Sequence, residues 1–155
     1  IMKKLWFIFL VPFIFLGTVS DTANAAKVYH STPKALRGYY RTKMNKIHNG
    51  YHSYYWSFRT LHIKAKTIQF DYGTGTDSYI IHNLYHANYG NNNFLVGGNY
   101  LPMGGESPLY YAYFIKKNKK LKVSYYNDSL TRVTGHETYY KFSGRASKVK
   151  NYPYS

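Results

Sequence analysis

Apolar and polar side chains alternate with a period of two along much of the chain after residue 37, and a 3.6-residue helical recurrence is hard to find. The cleanest run sets Leu121, Val123 and Tyr125 against Lys120, Lys122 and Ser124. Ile68, Phe70 and Tyr72 share one face of another run. Tyr54, Trp56, Phe58 and Thr60 share a face of a third, with Ser57 and Arg59 opposite. Residues 109–115 are apolar on both faces, as expected of a central strand. Clusters of Gly, Asn, Asp and Ser separate the runs, notably at 71–78 and at Gly90-Asn91-Asn92. Strands are therefore predicted over 38–44, 54–60, 67–72, 78–85, 93–101, 109–115 and 120–125. Two more, 129–134 and 137–142, flank Gly135. Residues 116–120 form a lysine-rich hairpin with Asn118 at its tip.

Eight or nine short strands at this spacing predict an all-β domain, a small antiparallel barrel of about eight strands, with a sandwich as the alternative. A barrel also removes exposed strand edges. The domain is expected over residues 38–142, after a lead-in at 26–37 and before a basic, flexible tail at 143–155.

Residues 1–25 lie outside this pattern and read as a signal-peptide helix. Lys3 and Lys4 precede a short apolar stretch, and Ala23-Asn24-Ala25 is a small-x-small cleavage site. The stretch falls short of the roughly 20 apolar residues that span a bilayer, so no transmembrane anchor is expected after cleavage. The protein is thus expected to be secreted, extracellular or loosely associated with a Gram-positive cell wall.

Thr32-Pro33-Lys34-Ala35-Leu36-Arg37-Gly38-Tyr39-Tyr40-Arg41 resembles the opening of small secreted, Tyr-rich β proteins of lactobacilli, in which a T-P-K-x-L-R-G-x-W/Y stretch leads into the first strand. Gly38 to Arg41 also resembles, more weakly, the G-x-W start of lipocalin-like (calycin) barrels, with Tyr40 in place of the Trp. These resemblances imply a fold and a location, and no activity. An aromatic at Tyr40 can plug one end of a barrel or serve as an ordinary core residue.

Composition narrows the chemistry. Cysteine is absent, which excludes disulfides, thiolate metal sites and Cys nucleophiles. After the leader the acidic residues are Asp71, Asp77, Glu106, Asp128 and Glu137, too few and too dispersed for clustered carboxylate chemistry. His48/His52 and His82/His86 have the i,i+4 spacing that zinc uses on a helix. On a strand that spacing separates the two rings by roughly 13 Å. No metal, cofactor or catalytic residue is expected, and the protein is read as a non-enzyme.

Basic and aromatic residues carry the stronger signal. The chain has 21 Lys and Arg against 6 Asp and Glu, a net charge of +15, and holds 20 Tyr, 9 Phe and 2 Trp. Lys116, Lys117, Lys119, Lys120 and Lys122 form the densest positive cluster and are the expected anion contact. The leading expectation is a monomeric binding protein held at the cell envelope by its basic, Tyr-rich surface, contacting teichoic acid or glycan and not nucleic acid. The alternative is a lipocalin-like carrier of a small apolar ligand, with Tyr40, Trp56, Phe58 and Tyr113 as lumen candidates. A packed interior favours the first reading, and a cavity of about 300 Å³ or more favours the second.

Overall fold

The computed structural model describes residues 27–48, 50, 53–72, 78–101 and 108–145. The leader and all but the first three residues of the expected tail lie outside the described residues. The strands are β1 (Val28–Tyr29), β2 (Gly38–Arg41), β3 (Asn45–His48), β4 (Tyr54–Ser57), β5 (Arg59–Ile63) and β6 (Ile68–Tyr72). After them come β7 (Ser78–Asn88), β8 (Asn93–Tyr100), β9 (Leu109–Lys117), β10 (Lys120–Tyr126) and β11 (Val133–Phe142). A single 3-10 turn, Lys34–Leu36, precedes β2.

Eight of these strands close into an antiparallel barrel. Pairing runs β2-β5-β6-β7-β8-β9-β10-β11, and β11 returns to β2. Apart from the excursion between β2 and β5, ring neighbours are also neighbours in the chain, an up-and-down arrangement. β1 continues the wall beyond β6 by pairing with the far half of β7.

Between β2 and β5 the chain leaves the ring as a two-stranded ribbon, β3–β4, closed at its base by backbone bonding of Thr42 to Arg59 and by the Thr42 hydroxyl. This corrects the expected face of residues 54–60. Phe58 sits between β4 and β5 and is buried, and the inward phase then passes to Arg59 and Leu61 rather than Thr60. The end of the chain differs as well. A single strand runs through Gly135, and residues 129–132 belong to the turn before it.

The alternation expected in β6 and β10 holds. Ile68, Leu121 and Val123 are buried inside the barrel, and Phe70 and Tyr125 pack against the same core. Residues 109–115 are apolar on both faces for a reason a barrel permits. Tyr110, Ala112 and Phe114 point in, whereas outside Tyr111 meets Tyr85 and Tyr113 meets Tyr89. β7 carries an irregularity between His82 and Tyr85, with Asn83 at φ 50°. His82 therefore follows Asn99 on the outside, while His86 follows Val96 to the inside, where its Nδ1 meets the Ser31 carbonyl. The two rings are on opposite faces.

Tyr40, Leu61, Ile63, Ile68, Val96, Phe114 and Leu121 fill one half of the barrel completely. Leu36 of the 3-10 turn closes that end. The Lys116 ammonium donates to the Ala35 carbonyl there, and the Thr32 hydroxyl donates to the Lys64 carbonyl. This is the closed end. The opposite end holds the starts of β5, β7, β9 and β11, and it is open.

Candidate functional site

The open half contains a cup of about 810 Å³. Its walls are mostly rings: Phe70 from β6, Tyr79 from β7, Tyr100 from β8, Tyr110 from β9, Tyr125 from β10 and Tyr139 from β11. Leu101, Pro108 and Leu109 line the rim. The rings meet largely edge to face. Tyr110 lies 5.7 Å from Phe70, 5.6 Å from Tyr100 and 6.4 Å from Tyr125, centroid to centroid. Such pairs add to the burial of their apolar area.

One wall is built differently. β2 pairs with β11 only through Tyr39, Tyr40 and Arg41, and then departs into the ribbon. Val133–Tyr139 therefore has β10 on one side and, among the described residues, no strand on the other. Arg59 of β5 spans that interval, its Nη1 donating to Glu137 Oε1. The second carboxylate oxygen accepts from the Tyr125 hydroxyl at 2.9 Å and from the Tyr139 hydroxyl, and the two phenol oxygens lie 2.9 Å apart. A largely buried carboxylate is tolerated when it is paired and hydrogen-bonded in this way.

Burial drives the phenols of Tyr110, Tyr125 and Tyr139 far above the usual tyrosine value of 10.0. Neighbouring Tyr139 and the Glu137 charge push Tyr125 further, and Glu137 also raises Tyr139. All three therefore stay neutral hydroxyls across the physiological range. At the rim Asp71 is held by Thr60 and Gln69, both at 3.2 Å, and by the Ser78 hydroxyl.

The residues singled out from sequence fall elsewhere. Tyr40 and Phe58 are buried, Tyr40 among the packed side chains of the closed half, and neither lines the cup. Trp56 is 55% exposed on the ribbon, because the chain has left the ring there, so it is not a lumen residue. Tyr113 points outward against Tyr89, because Ala112 and Phe114 take the inward phase of β9. The lysines are grouped at the closed end of the barrel. Lys117, Lys119, Lys120 and Lys122 are exposed, while Lys116 is half-buried and tied to Ala35. Among the described residues no cluster of three or more His, Cys, Asp or Glu could hold a metal ion.

Sequence reasoning missed Arg59, Glu137, Tyr110 and Tyr139. The alternation of β10 already placed Tyr125 beside Leu121 and Val123. Extending β11 through Gly135 would have put Glu137 and Tyr139 on the same inner side.

Fold and site together define a closed eight-stranded antiparallel barrel with an aromatic, ligand-sized cup at one end. No family model matches the chain, and comparison with curated proteins and with solved structures likewise gave no match.

Proposed function

We propose that the protein is a non-enzymatic carrier that takes a small, predominantly apolar ligand into the cup, in the manner of lipocalin-like barrels. The single observation that supports this is the contrast between the two halves of one barrel. One is packed to completion, whereas the other encloses about 810 Å³ lined by rings and a few fixed polar groups. Small-molecule sites have that volume and that mixture of apolar wall and sparse polar contacts. The cavity moves the weight from envelope attachment, the leading expectation from sequence, to ligand carriage.

The test uses the neutral fluorophore N-phenyl-1-naphthylamine and a variant that fills the cup. A Cβ added at Gly135 would meet nothing nearer than Tyr125 Cδ2 at 3.9 Å, so a side chain can start from this position beside Tyr125, and Gly135→Phe is used once circular dichroism shows it folded. Saturable one-to-one binding by the native protein, abolished in a folded Gly135→Phe, is the expected result. Equal binding by both proteins would locate the probe elsewhere and defeat the reading.

A second reading concerns the closed end, where Lys117, Lys119, Lys120 and Lys122 stand exposed and clear of the cup. Export through the leader at residues 1–25 would bring this face to anionic wall polymers, an attraction that salt screens. Changing the four lysines to Gln should lower retention on purified, teichoic-acid-bearing walls at low salt and leave probe binding in the cup intact. Unchanged retention would remove this face from consideration.

A further inference from the structure

Every formal charge that lines the cup already has a partner. Glu137 is held by Arg59 and by the hydroxyls of Tyr125 and Tyr139, and Asp71 by Thr60, Gln69 and Ser78. A charged ligand would have to break one of these sets and lose its own hydration, with little charge left over to compensate it. The walls offer flat ring faces and edges, which favour a flat, polarisable guest.

One polar atom breaks the pattern. Tyr110 is 2% exposed, and its hydroxyl has no hydrogen-bond partner among the described residues. Buried hydroxyls are nearly always bonded, and one left alone is costly. Tyr110 lines the cup, with its ring packed among Phe70, Tyr100 and Tyr125. Its phenol is kept neutral mainly by burial, with Tyr125, Tyr100 and Glu137 adding to the effect. The oxygen is closed off even from water in the empty protein, so a guest's polar group reaches it only where the surrounding rings give way; there it can donate to a carbonyl or ether oxygen, or accept from a hydroxyl, but it presents no charge.

Resting on the carrier reading, we propose that the cup selects an uncharged, planar aromatic compound bearing a single hydroxyl or carbonyl, and that Tyr110 is the residue recognising that group. Arg59 and Glu137 then act as a fixed wall rather than as ligand contacts, and Tyr110 supplies specificity where the ring stack supplies affinity.

Four probes of one skeleton test this by ligand-observed NMR and calorimetry: naphthalene, 2-naphthol, 2-naphthoate and 2-naphthylmethylamine. The expected order at neutral pH is 2-naphthol first, naphthalene next, and the anion and cation weakest. Tyr110→Phe, which keeps the ring, should weaken 2-naphthol by about five- to tenfold, the equivalent of one ordinary hydrogen bond. Naphthalene should change by less than about twofold in the same variant, since its contacts are with ring faces alone. Tightest binding of the anion or cation, or equal loss of naphthalene and 2-naphthol in Tyr110→Phe, would overturn the assignment while leaving the carrier reading in place. No binding of any probe by the native protein would instead overturn the carrier reading itself.

Discussion

Arg59 and Glu137 are 78 positions apart in sequence, and their ion pair bridges the part of the barrel wall that β2 leaves uncovered. The two partners are unequally placed, with side-chain exposures of 47% and 17%. Their removal should therefore have unequal effects. Glu137→Ala leaves the buried hydroxyls of Tyr125 and Tyr139 with only each other, and should lower unfolding free energy by about 2 kcal/mol. Arg59→Ala leaves the carboxylate with both tyrosines, and because the guanidinium is about half exposed and screened by solvent its loss should cost less than about 1 kcal/mol. Urea unfolding of the two variants with a shared m value checks the ranking. Equal losses would mean that the ion pair, not the hydroxyl network, carries the stability.

Tyr110→Phe should raise the stability of the empty protein, because it deletes a buried hydroxyl that bonds to nothing among the described residues. A gain of up to about 1 kcal/mol is expected, against the small loss usual for a core substitution. Thermal unfolding of the ligand-free protein reads this directly. A clear destabilisation would show that the hydroxyl is satisfied in solution.

Gly98 lies on the inner side of β8 against the irregularity in β7. A Cβ there would stand 2.7 Å from the His82 carbonyl oxygen and 2.9 Å from both Ile81 and Leu84. The nearest atom is backbone and cannot swing aside, so Gly98→Ala should destabilise by about 2–3 kcal/mol. Gly135→Ala, with its nearest neighbour at 3.9 Å, serves as the control and should change stability by less than about 0.5 kcal/mol.

Alkaline pH should unfold the protein in a characteristic way. The fold favours the neutral phenols of Tyr110, Tyr125 and Tyr139, whose values lie far above the 10.0 of an ordinary tyrosine. Below about pH 10 that preference is fully present. Above it the unfolded chain releases protons the folded chain retains, so stability falls as pH rises. Tyr85, pushed up to about 12 by burial and by its bond to Tyr111, should titrate reversibly on the outer face. Phenolate absorbance followed against pH should show a late class, from Tyr110, Tyr125 and Tyr139, that appears only with loss of the near-ultraviolet circular dichroism. A single class near pH 10 would contradict the buried assignment.

The barrel was legible where alternation was uninterrupted. Leu121, Val123 and Tyr125 announced an inner face, and so did Ile68 and Phe70. The phase shift at Phe58 was hidden, because the sequence from Tyr54 to Thr60 alternates smoothly whether or not the chain changes sheets within it. Only the antiparallel partners reveal the break. Glu137 was legible as one of very few acids, yet nothing local tells that Arg59 will face it or that Tyr125 will stand beside it on the neighbouring strand. Breaking the strand at Gly135 concealed the shared phase of Glu137 and Tyr139. The lysines were visible from their density alone, but density does not say which end of a barrel they decorate, or that Lys116 is drawn in under Ala35.

Closure of the ring depends on three residue pairs, Tyr140 with Arg41, Lys141 with Tyr40 and Phe142 with Tyr39. Other ring contacts, the β2–β5 pairing across its ribbon included, can form as the chain adds strand to strand, whereas this one must bring the two ends of the sheet together, and such non-local steps are slow. The barrel should accordingly assemble as a curling sheet whose seam locks last. In the finished protein the same short seam sits in the packed half, with Tyr40 buried behind it, so that the shortest pairing in the ring is backed by the best-filled part of the core.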